Sequence, residues 1–183
     1  KVDIPNWFKY IILIIYDLLL VSTSIDFSSY ALSHNGATST SRKGSSNLTL
    51  FFGDYKLTSS GSDGYVWWWD SDDLWLDGYA YSSNPSERKW RLEHVDGSKF
   101  SLDNFNYDIY KTSGGYFKLA TDRGSTTVTT STRINNKTYT PSENIRTGIT
   151  YADFIVKPGV TSYDFGFGTE SVSYTHLRAH ETS

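Results

Sequence analysis

Turn-forming residues interrupt the chain at short intervals from Leu48 to Phe167, and this spacing limits it to folds built from short strands. Residues 48–52 meet Gly53-Asp54, 55–58 meet the Ser/Gly run 59–64, and 65–69 meet an acidic loop. Residues 78–82 and 89–93 flank Asn84-Pro85, and Asp96-Gly97 leads into 99–111. Residues 116–121 end at Asp122-Arg123-Gly124, 126–134 end at Asn135-Asn136, and 149–156 end at Pro158-Gly159, before a last strand at 162–167. No segment sustains a 3.6-residue apolar period instead. Abundant Ser, Thr, Gly, Tyr and Trp suit short strands and turns. The expected fold is all-β, an antiparallel β-sandwich like a jelly roll.

One segment displays the pleat directly. Phe100 and Leu102 alternate with polar neighbours, and then Phe105, Tyr107 and Ile109 alternate in the opposite phase. The shift at Asp103-Asn104 calls for a bulge, a bend or a change of sheet. The run Thr126-Thr127-Val128-Thr129-Thr130-Ser131-Thr132 has little to bury and reads as an edge or solvent-facing strand.

Both ends differ from this body. Residues 1–31 read as a signal-peptide-like leader: Lys1 and Lys9, the apolar run 10–21, then Ser22, Thr23 and Ser24. Asp17, near the centre of that run, would cost about 2.5–3.5 kcal/mol in a membrane span, and no span is expected in the mature chain. The alternatives are a buried helix or strand, or untranslated upstream sequence read through in gene prediction. Residues 32–46 read as a polar linker or first loop, and 47–171 as the sandwich domain. The final run, Val172-Ser173-Tyr174-Thr175-His176-Leu177-Arg178-Ala179-His180-Glu181-Thr182, resembles one reading frame of a transposase-type sequencing adapter. That resemblance implies a domain cut short near Ser171 and a non-native tail at 172–183. It also removes His176 and His180, four apart, as candidate metal ligands.

Composition narrows the function classes. Net charge is −3 with Lys and Arg scattered, which argues against nucleic acid as a partner. Cysteine is absent, so thiol nucleophiles, thiolate metal sites and disulfides are excluded. The run Gly97-Ser98-Lys99-Phe100-Ser101-Leu102-Asp103-Asn104-Phe105, placed before Gly-punctuated strands, resembles jelly-roll modules of bacterial secreted and cell-surface proteins. The resemblance implies a glycan-binding or spacer role and a secreted or surface location.

Tyr65-Val66-Trp67-Trp68-Trp69, followed by Trp75, Tyr79, Tyr81 and Trp90, is the most distinctive run in the body. In a strand Tyr65, Trp67 and Trp69 share one face, and Val66 and Trp68 the other. Two readings stand. The rings fill the core, or some of them form a platform on which sugar rings stack. On the second reading Trp67, Trp69, Trp75, Tyr79 and Tyr81 are the ligand-binding residues. Asp70, Asp72 and Asp73 beside them offer oxygen ligands for Ca2+, although Leu74 and Trp75 break the EF-hand pattern and solvated turn residues explain the loop as well.

Catalytic signals are weak. Glycoside hydrolysis needs two carboxylates about 5–9.5 Å apart, with Glu87, Glu93, Asp103 and Asp108 as candidates. No nucleophile-elbow pattern or phosphate loop is present, and His94 reads as a surface or turn residue. Three functions are therefore carried forward. The first is an extracellular, non-catalytic module that binds polysaccharide. The second is a structural or adhesive surface module without a small ligand. The third is a fragment of a jelly-roll hydrolase.

Overall fold

The computed structural model describes residues 20–25, 42–44, 47–62, 66–69, 74–76, 86–110, 115–128, 133–158 and 164–177. Among them lie β1 (Leu20–Ile25), β2 (Arg42–Gly44), β3 (Thr49–Phe52), β4 (Tyr55–Ser60), β5 (Trp67–Trp69), β6 (Leu74–Leu76), β7 (Arg88–His94) and β8 (Phe100–Ile109). They are followed by β9 (Tyr116–Thr121), β10 (Gly124–Val128), β11 (Ile134–Tyr139), the four-residue helix α1 (Glu143–Arg146), β12 (Tyr151–Lys157) and β13 (Phe165–Leu177). The fold is all-β, as the turn spacing predicts.

Two antiparallel sheets pack face to face. One has the order β11-β8-β13-β6-β5-β2 with β1 added alongside β13, and the other runs β10-β9-β12-β7-β4-β3. Alternation makes the core. On β7, Trp90 and Leu92 point inward while Lys89, Arg91 and Glu93 point out. On β12, Ala152, Phe154 and Val156 join the same interior. Aromatic rings bridge the sheets, with Phe117 stacked on Phe165 at 4.4 Å and Phe105 edge-on to Phe154 at 5.0 Å.

The phase change on β8 is a bulge. Phe100, Leu102, Phe105, Tyr107 and Ile109 are all buried, and the ladder to β13 shifts where Asn104 pairs with Ser173 and Leu102 with Tyr174. One extra residue keeps both halves of the strand facing the same core. The Thr-rich strand is an edge: β10 closes one side of its sheet and is largely exposed.

Four features depart from the turn-based reading. Residues 42–44 form β2, and 74–76 form β6. Where one strand is expected at 126–134, β10 is described to Val128, residues 129–132 lie outside the described residues, and a strand β11 from Ile134 passes through Asn135-Asn136 instead of ending there. Its ladder to β8 shifts between Ile134 and Lys137, so this pair makes a bulge rather than a turn. In addition, β1 lies within the expected leader and pairs along its length with 172–177 of β13. Ile25 and Val172 both belong to the core.

Candidate functional site

The outer face of the larger sheet is built by register. Phe165 and Phe167 of β13 point into the core, so Gly166 between them faces outward. Gly166 stands opposite Trp75 on one side and Asp108 on the other. Leu74 and Leu76 are core residues, which turns Trp75 to the outer face, over Gly166. A Cβ at Gly166 would lie 2.8 Å from the Trp75 ring, so glycine is what lets the indole settle on the sheet. Trp75 is only 6 % exposed even on this outer side. Tyr110 meets it edge-on, with ring centroids 6.4 Å apart, and is itself 43 % exposed.

Asp108 organises the other half of the face. Its Oδ1 accepts the backbone N–H of Asn136 at 2.8 Å, which secures the bulge on β11. Asn136 has a φ of +42°, a left-handed conformation that Asn tolerates better than most residues. Burial pushes the Asp108 carboxyl above its ordinary pKa, opposed by the Asn136 hydrogen bond and by the charge of Arg133. The Arg133 guanidinium lies 5.1 Å from the centre of the Tyr110 ring and donates through Nε to Asn135 Oδ1 at 3.0 Å. One step along the face, Thr138 Oγ1 donates to Asn106 Oδ1 at 2.7 Å. An exposed aromatic ring, a carboxylate, a guanidinium and planar amides thus share one side of one sheet.

The sequence-predicted residues fall as follows. Trp67 stands opposite Leu76 and Trp69 opposite Leu74, whereas Trp68 stands opposite Trp75. Tyr79, Tyr81 and the Asp70/Asp72/Asp73 loop lie outside the described residues. Among the described residues no cluster of three or more His, Asp or Glu side chains forms a metal site. Trp90 is wholly buried in the core.

The four candidate carboxylates do not come together. Asp103 and Asp108 share the outer side of β8 but are five positions apart, about 16 Å of strand. Glu87 and Glu93 lie on the outer side of the other sheet, six positions or about 20 Å apart. Between the two outer faces stands the thickness of the sandwich, more than about 10 Å. Three have a cationic partner, Glu93 with Lys56, Asp103 with Arg146 and Glu87 with Lys118, and Asp108 accepts the backbone N–H of Asn136. His94, expected on the surface or in a turn, ends β7 with its side chain only 12 % exposed, edge-on to Tyr55 and bonded through Nδ1 to Asp96.

Tyr110, Arg133 and Gly166 were not singled out by the sequence. Tyr110 directly follows Ile109, out of phase with the buried run of β8, and nothing local marks it, Arg133 or Gly166. No family model matches the chain, and no curated protein or solved structure is similar to it.

Proposed function

We propose that this is a non-catalytic β-sandwich module, exported or displayed at a cell surface, that binds polysaccharide on the outer face of its larger sheet. The observation that carries the reading is the exposed Tyr110 ring set beside Trp75, Asp108 and Arg133. A sugar ring offers apolar C–H groups to an aromatic face and hydroxyls to charged and amide side chains, and this surface supplies both. Tyr110 and Asp108 take the central roles, one as stacking surface and the other as hydrogen-bond acceptor. Trp75 is the wall that holds Tyr110. Affinity electrophoresis through gels containing soluble polysaccharides tests the reading, with retardation as the expected result.

A second reading, a structural or adhesive module without a small ligand, is favoured by the burial of Trp75 and Trp90. Under it no glycan retards the protein, and the large aromatics act on stability alone.

A further inference from the structure

We propose that the opposite face, on the smaller sheet, holds a second subsite that takes a single polyhydroxylated ring of hexose size. The ligand class follows the glycan reading above, but the site and its residues are independent of it. The site is an open depression of about 330 Å³ lined by Ser60, Gly61, Ser62, Glu87, Lys89 and Ile155. That volume lies at the small end of ligand pockets, which run from about 300 to 1,000 Å³.

Its floor is apolar. Ile155 is buried although it sits on the outer side of β12, between Lys89 of β7 and Lys118 of β9. Around that floor stand polar groups held in place from behind. Tyr116 Oη and Lys118 Nζ both donate to Oε1 of Glu87, at 2.5 and 3.3 Å, and hold its carboxyl below the ordinary pKa range. Oε2 takes no hydrogen bond from the described residues. Among the described residues Lys89 Nζ gives one hydrogen bond, to Asp153 Oδ2 at 3.2 Å, of the three an ammonium can give. Asp153 is in turn gripped by Arg91 at 2.6 and 2.7 Å. The hydroxyls of Ser60 and Ser62 add groups that donate or accept.

This combination discriminates between ligand classes. A simple anion would meet Lys89 but also the fixed charge of Glu87. A purely apolar ligand would strand the carboxylate and the ammonium without partners. A ring carrying several hydroxyls satisfies an acceptor on one side, donors on the other and an apolar floor beneath.

The test is a titration of the 15N-labelled full chain with methyl glucoside, methyl galactoside, methyl mannoside, glucuronate and inorganic sulfate, followed by amide shifts. Saturable shifts at Ser60, Gly61, Ser62, Glu87 and Lys89 with at least one neutral glycoside are expected. Glu87→Gln should weaken that binding about tenfold or more while the rest of the spectrum is preserved. Shifts with sulfate or glucuronate only, or no saturable shifts here with any probe, overturn the proposal. Shifts around Asp108 and Tyr110 report on the other face, so failure of one site is told apart from failure of the other.

Discussion

The indole of Trp75 rests against Gly166 so closely that a single methyl group would strike it. Because the contact is with a rigid ring, the strain of adding that methyl has no easy outlet. Gly166→Ala is expected to destabilise the protein by about 1–3 kcal/mol. Urea denaturation should show a lower midpoint with an unchanged slope.

Asp153 is the buried hub of the smaller sheet's outer side, bonded twice by Arg91 and once by Lys89. Removing it leaves two cations facing each other, although both are about one-third exposed and partly screened by water. Asp153→Ala should cost about 1–3 kcal/mol, and a double-mutant cycle with Arg91→Ala should return a clear coupling energy.

Trp90 fills the core between the sheets, and among the described residues its Nε1 has no hydrogen-bond partner. Trp90→Ala should cost about 3–5 kcal/mol. Trp90→Phe loses area but also removes the stranded donor, so its cost should stay below about 2 kcal/mol. Equal losses in thermal or urea unfolding would contradict this account of the core.

Two groups set opposite limits on pH. Burial, helped by Glu87, pushes the Tyr116 phenol up to about 12. Its contribution to stability is fully present below about pH 10 and is lost as pH rises through about 12. The side-chain and backbone groups of Ser98, followed by His94, hold Asp96 down at about 2, from an ordinary 3.8. Its contribution is present above that ordinary value and is lost as pH falls toward about 2. In ultraviolet titration, Tyr116→Phe should remove one late-ionising phenol, and Asp96→Asn should flatten the acid limb of the stability curve.

How far the sequence discloses the fold depends on whether one face alone is buried. On β8 it is, and the change of phase at Asp103-Asn104 marks the bulge directly. The Thr-rich β10 discloses itself as an edge for the same reason, since it has almost nothing to bury. On β6 the signal vanishes. Leu74 and Leu76 are buried inside and Trp75 is buried outside, so three covered residues in a row show no alternation. Asn135-Asn136 carries turn chemistry, but Asp108, distant in sequence, turns it into a bulge. The candidate site shares this limit: its aromatic character is visible in the sequence, whereas the meeting of Tyr110 with Arg133 depends on strand order.

We propose further that residues 172–182 derive from a sequencing adapter. Resequencing the source DNA should then diverge after about Ser171. A read continuous through 182 would contradict the proposal.

Affinity electrophoresis of the wild type beside Tyr110→Ala and Asp108→Ala, in gels carrying a panel of soluble polysaccharides, tests the central claim most directly. The account predicts that at least one polysaccharide retards the wild type and that both variants migrate freely while keeping the native circular dichroism spectrum. Free migration of the wild type through every gel, or equal retardation of all three proteins, would contradict it.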